Sequence, residues 1–183
     1  MALHGIIGNW DELAPVYRWK FPRNSPSAAK LAIAYEDLGD DLFSLLRGPF
    51  TVVIHDRHLD QLTLVRDLWA ERPLFFEELD RRFYFATEIR QVLAGSGSPI
   101  EIDDEVLLQS MMWKPTSPSR THIRRINRVE AGQVLKLGKS RALQPRRVHP
   151  IWTPPDEQSG KYDLRALAEE LHFLVDRAVS RWL

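Results

Sequence analysis

The sequence predicts an α+β fold built on antiparallel strands, and three observations carry this. Short runs rich in β-branched and aromatic residues alternate with polar turn clusters between Phe50 and Ala86. Those runs follow one another as hairpins, without the helical crossovers that parallel strands need. Segments with apolar residues at helical spacing stand on either side of them.

Taken in order, Met1 to Gly8 (MALHGIIG) reads as a first strand, with His4 or its neighbours alternating inward. Asn9 to Asn24, with two prolines and two tryptophans, reads as an irregular loop packed by its aromatics. Ser25-Pro26 is an N-cap and first-turn pair for a helix carrying Ala28, Leu31, Ala32 and Tyr35, which Gly39 ends. A short apolar helix (Leu42, Leu45, Leu46) stops at Gly48. Strands follow at Phe50 to Ile54 and Gln61 to Val65, then at Pro73 to Phe76 and Phe83 to Ala86 around a turn at Glu78 to Arg82. Thr87 to Ala94 is an amphipathic helix closed by Gly95. Asp103 or Asp104 caps another helix through Trp113, whose Met111 and Met112 read as core filler. Lys114 to Ser119 is a Pro-rich loop, and Val134 to Leu137 is a strand after the Gly132 turn. Asp163 caps a long helix with apolar positions from Leu164 to Trp182 at i, i+3, i+4, i+7.

Composition bounds the chemistry. A chain of 183 residues with 44% hydrophobic and 27% charged residues is globular and long enough for a core. It has no cysteine, which excludes disulfides, thiolate metal sites and a Cys nucleophile. No apolar run reaches 18 residues and no basic-then-apolar leader opens the chain, so a soluble cytoplasmic protein is expected. The net charge of zero hides an asymmetry: from Lys114 to Arg147 there are ten Lys or Arg and one acid, Glu130. Such a segment is either a solvated face or a surface for an anionic partner, with Arg120, Arg124, Arg125 and Arg128 the candidate residues. It contains no aromatic residue on which bases could stack, so nucleic acid is the less favoured partner.

Several motifs in fixed order carry a resemblance. They are Arg47-Gly48, Phe50, Asp56, Arg66-Asp67, Arg72-Pro73-Leu74-Phe75-Phe76 and Phe85-Ala86-Thr87-Glu88. Together they resemble the second half of the class II glutamine amidotransferase domain at the N-terminus of the asparagine synthetase family. The resemblance implies an αββα sandwich of the N-terminal-nucleophile hydrolase type, with two stacked antiparallel sheets and flanking helices. It implies a glutaminase-like domain at 1–149, a linker at 150–162, and in 163–183 the first helix of a synthetase-type domain, truncated or split. His149 to Pro155 is similar to the segment that links the two domains in the family. Where the family has a Gly between the Arg-Asp pair and the Arg-Pro-Leu, this chain has Trp69-Ala70-Glu71, so a different turn is expected.

The same comparison implies lost chemistry. The family's nucleophile is an N-terminal Cys whose own α-amine serves as base. The segment His4 to Gly8 resembles that strand with His4 in the Cys position, and three residues precede it. The Asn-Gly-Glu and Ser-Asp motifs that hold glutamine in the family are missing between Gly8 and Asp40. No catalytic residue and no metal are therefore expected. His55, Asp56, His58 and Asp60 carry metal-binding donor types but read as a solvated hairpin tip. Arg66, Asp67, Arg72, Pro73 and Glu88 read as a structural motif, with an Arg–carboxylate bridge fixing the loop.

The functional expectation is a noncatalytic domain of an ATP-dependent amide-forming ligase, as in lasso-peptide macrolactam cyclases or β-lactam synthetases. ATP and Mg are expected in the missing synthetase domain and not on this chain. The expected partner is a synthetase domain or subunit docking on helix 163–183, with a peptide as candidate substrate. The alternatives are an amidohydrolase with an atypical nucleophile and a basic interaction or nucleic-acid-binding module.

Overall fold

A computed structural model describes residues 1–140, 142–148 and 163–180. Two antiparallel sheets stack face to face. The larger runs β1 (Ala2–Gly5), β2 (Phe50–Asp56), β3 (Gln61–Arg66), β7 (Gln133–Leu137), β8 (Leu143–Arg147), in that spatial order. The smaller runs β5 (Arg82–Ala86), β4 (Phe75–Leu79), β6 (Asn127–Arg128).

Alternation along the strands builds the layers, because successive side chains leave opposite faces. Val65 of β3 and Val134 of β7 join Phe50, Val52 and Ile54 in one buried cluster. That cluster is roofed by Trp10 of α1 (Trp10–Tyr17), Leu31 and Ala34 of α2 (Ser27–Leu38), and Leu42 and Phe43 of α3 (Leu42–Leu45). Their neighbours Leu64 and Leu135 point the other way, into a second cluster with Leu74, Phe76 and Val129 between the sheets. Helix α4 (Ile89–Ser96) packs on the far side of β4 and β5. Each fully buried Leu or Phe contributes about 1.5–3 kcal/mol, so these two layers hold the domain together.

Several local expectations are corrected. Residues 10–17 are helical although they contain Pro15, because burying Trp10 edge-on against Phe21 outweighs one lost backbone bond. Ser25 does not cap α2; its hydroxyl donates to the Pro22 carbonyl and the helix begins at Ser27. Gly95 lies inside α4, and Gly97, at φ 69°, ends it. Helix α5 (Asp104–Met111) does start at the Asp103 cap but stops short of Trp113. Met111 and Met112 are not core filler: both are exposed beside Trp113, which is 96% exposed. The strand β8 went unforeseen because Pro145 cannot donate to a ladder; it is tolerated on an edge strand. The two-residue β6 was too short to read.

Helix α6 (Leu164–Ser180) is capped by Asp163, whose carboxylate accepts from the Arg165 and Ala166 amides. None of its residues is buried. The expected linker at 150–162 and Trp182 lie outside the described residues.

Candidate functional site

The polar end of the space between the sheets is assembled by three strands. Register places His4 opposite Thr51, and Thr51 opposite Arg66. Val53, two residues along β2 from Thr51, packs against the cluster between the sheets. His4, Thr51 and Arg66 therefore form one row across β1, β2 and β3 on the inner face. Thr51 and Arg66 are buried, whereas His4 stands exposed on the edge strand.

Backbone contact sets the position of β1. Gly5 lies opposite Phe50 at φ 114°, and a Cβ built there would sit 2.1 Å from the Pro49 carbonyl oxygen. Gly48, at φ 130°, leaves the same lack of room on the other segment, with the Ile6 oxygen 2.4 Å from its Cβ position. The Ile6 amide donates to Pro49 and the Gly8 amide to Arg47, both at 2.9 Å. Buried Asn9 finishes the junction: its side-chain amide donates to the Leu45 carbonyl and its oxygen accepts from the Arg47 amide. Only chains without a Cβ approach this closely.

The loop after β3 forms the end wall. The Arg66 guanidinium donates to three carbonyls, those of Arg72 (2.8 Å), Val129 (2.8 Å) and Ala70 (2.7 Å). The Asp67 carboxylate accepts from the amides of Trp69, Glu71 and Arg72. The expected Arg–carboxylate bridge is thus replaced by two side chains that each hold backbone. A chain reversing within six residues exposes more carbonyls and amides than it can pair internally, and these two charges take them up. Burial beside Arg128 pulls the Arg66 pKa below its ordinary value. Ala70 adopts φ 55°, a left-handed conformation in a turn that contains no glycine. Gly132 ties this wall to β7 by donating to the Asp67 carbonyl.

The remaining sequence candidates fall elsewhere. Glu88 pairs with Arg90 at the start of α4. Asp56 accepts from the His58 and Leu59 amides, so its carboxylate shapes the hairpin tip. At that tip, on the opposite end of the sheets from His4, a cavity of about 200 Å³ is lined by His55, Asp60, Glu78, Arg81, Arg82 and Lys139, among others. The candidate arginines of the basic segment find partners within the chain. Arg120 grips both Asp103 oxygens (2.8 and 2.7 Å) and reaches Glu105, while Arg124 pairs with Asp104 and Arg125 with Glu101. Arg128 lies over the Phe75 ring. Sequence reading also missed Glu77, fully buried beneath α4, whose carboxylate accepts from the Ser98 hydroxyl at 2.6 Å. An acid at an outward position of a strand gives no sign of being covered by a helix that follows it.

The Asp103–Arg120 clasp makes a pH prediction. Hydrogen bonding from Arg120, then from the Val106 amide, holds the Asp103 carboxyl below its ordinary value of 3.8. A depressed folded value means that the stabilisation is present above the unfolded value and is lost as pH falls through the folded one. The Tm advantage of the wild-type chain over an Arg120→Ala variant is therefore expected at neutral pH and should shrink below pH 3.8. A gap that stays constant into strong acid would contradict the assignment.

The glutamine amidotransferase domain family matches residues 1–147. The chain belongs to this family. This amidotransferase domain is 23% identical over 162 residues to "Asparagine synthetase [glutamine-hydrolyzing] 2" of Bacillus subtilis, covering 85% of this chain and 21% of that protein. It is 30% identical over 134 residues to "Asparagine synthetase [glutamine-hydrolyzing] 1" of the same organism, covering 72% of this chain and 21% of that one. The domain thus spans about a fifth of the length of these curated relatives. Among solved structures it is similar to the glutamine phosphoribosylpyrophosphate amidotransferase of B. subtilis, at TM-score 0.58 and 15% identity over 81% of this chain and 28% of the other. That likeness shows the fold: an amidotransferase-type sandwich of two antiparallel sheets with flanking helices. Among the described residues no helix is long and apolar enough to cross a membrane.

Proposed function

We propose that this chain is a noncatalytic glutaminase-like domain serving an ATP-dependent amide-forming ligase related to asparagine synthetase. The observation that carries the reading is the lack of any thiol: the chain contains no cysteine. Glutamine hydrolysis by the family's route needs a sulfur nucleophile with a free α-amine beside it. His4 is preceded by three residues, so its α-nitrogen is a peptide amide and cannot act as a base.

What remains is a shell that holds a neighbour. The apolar stripe of α6 (Leu164, Leu167, Leu171, Leu174) is exposed along its length. A stripe of this kind is stable only when covered. A synthetase domain or subunit docks there in this reading, and it carries the ATP, the Mg and the residues that adenylate a carboxylate and admit an amine. The likeness to two asparagine synthetases supports that partner. The finer form of the proposal is a lasso-peptide macrolactam cyclase, in which a peptide's own amine attacks and no ammonia is required. The basic-module alternative has less to stand on, since Arg120, Arg124 and Arg125 are spent on acids of the same chain.

Incubating the chain with glutamine and measuring ammonia should give only the uncatalysed background. Turnover that disappears in a His4→Ala variant would overturn the noncatalytic reading. The ligase assembly, given ATP, should form amide equally well with and without glutamine; dependence on glutamine nitrogen would sink the same reading from the other side.

A further inference from the structure

The two sheets present four edge strands, and natural sheets protect their edges by shortness, proline, charge or cover. β8 carries Pro145, Arg146 and Arg147, β6 has two residues, and β1 ends after four at the Gly5 junction. β5 has no proline, and its charge is confined to its first residue, Arg82. Its sequence is Arg-Phe-Tyr-Phe-Ala, and among the described residues β4 is its one strand neighbour. Phe85, on the inner face with Phe76 and Phe83, is 39% exposed.

The hairpin fixes which groups of β5 are unused. Asp80 and Arg81 both have positive φ (49° and 61°), forming a two-residue turn closed by Leu79 and Arg82. The closing pair of such a turn is hydrogen-bonded, and hydrogen-bonded pairs alternate along the ladder. Glu77–Tyr84 and Phe75–Ala86 are therefore bonded pairs, and the amides and carbonyls of Phe83 and Phe85 point away from β4.

We infer that β5 is a pairing edge for a second copy of this chain. The edge is complementary to itself. Antiparallel pairing centred on Tyr84 sets Phe83 against Phe85 of the second copy, and Phe85 against its Phe83. Those are the residues whose backbone groups point outward, so both pairs close with hydrogen bonds. Phe rings meet Phe rings on the inner face, and Tyr84 meets Tyr84 on the other. Arg82 falls opposite Ala86, so the arginines do not face each other. The product is one continuous sheet in the order β6-β4-β5-β5-β4-β6 with a twofold axis between the two β5 strands. A single strand pair buries less than a standard interface, so the dimer is of the weak, concentration-dependent class. The inference stands independently of the ligase proposal.

Sedimentation of the full chain from micromolar to millimolar concentration tests it, together with amide hydrogen exchange. The dimer fraction should rise with concentration, and the Phe83 and Phe85 amides should gain protection as it does, while that of Tyr84, already bonded within the hairpin, changes little. Phe85→Pro removes an outward amide and leaves the β4 ladder intact, so it should weaken association at least tenfold. Should that variant fail to fold, Phe85→Glu, at a position already 39% exposed, sets two carboxylates diagonally across the twofold axis and should weaken association. Leu171→Glu, on α6, should leave association unchanged. A chain that stays monomeric at millimolar concentration overturns the inference. A dimer that ignores both β5 variants, or that is abolished by Leu171→Glu, does so as well.

Discussion

Gly5→Ala should destabilise the chain by on the order of 4 kcal/mol, which puts it among the most damaging single substitutions a domain of this size tolerates. Two effects add. At φ 114° an L side chain is strained wherever it points, and such strain costs about 1–3 kcal/mol. The new Cβ would also stand 2.1 Å from the Pro49 oxygen and 2.9 Å from the Phe50 Cα, atoms of backbone that cannot rotate away. β1 would have to leave β2, losing the bonds that place His4 opposite Thr51. Gly97→Ala is the matched control, because Gly97 also has positive φ (69°) but nothing within 4 Å of its Cβ position. It should cost only the left-handed penalty of about 1–2 kcal/mol. Urea unfolding of the two variants gives the comparison directly. Equal midpoints would mean that β1 slides off Pro49 at no cost.

Arg66→Met should cost about 3–5 kcal/mol and loosen the 67–72 loop. Each hydrogen bond from a charged donor contributes about 1.5–3 kcal/mol, and losing three together is less than additive. The methionine fills the space but leaves the Ala70, Arg72 and Val129 carbonyls without a donor. Lysine should not rescue, since it lacks the planar fork that reaches three acceptors in different directions. Unfolding by urea reports the global effect, and limited proteolysis should open new cleavage between residues 67 and 72. A variant within about 1 kcal/mol of wild type, with no new cleavage, would show that Asp67 holds the loop alone.

Arg66 and Gly5 mark the limit of what sequence could give. The ordered motif from Arg47 to Glu88 was enough to name the glutamine amidotransferase domain, because several short signals in fixed order seldom coincide by chance. It could not say that Arg66 would bond carbonyls and not a carboxylate. That depends on the turn reaching back to Val129, which lies 63 residues away along the chain. The Trp69-Ala70-Glu71 departure left the form of the turn open, and only the structure shows Ala70 left-handed in a loop that Asp67 and Arg66 clamp on both sides. The basic segment invited an anionic partner in one dimension. In three, α5 and the residues before it bring Glu101, Asp103, Asp104 and Glu105 against it.

By itself the sequence determined most of the strands and helices, the family and the lack of a thiol, because periodicity, turn chemistry and residue identity are local properties of a chain. Tertiary structure alone decided which charges are spent on backbone, that Trp10 turns a proline-bearing segment into a helix, that Met111 and Met112 face outward, and that β5 lies at the edge of its sheet among the described residues. Each of those depends on which distant segment arrives to cover a group, and proximity of that kind is fixed only when the two sheets close on each other.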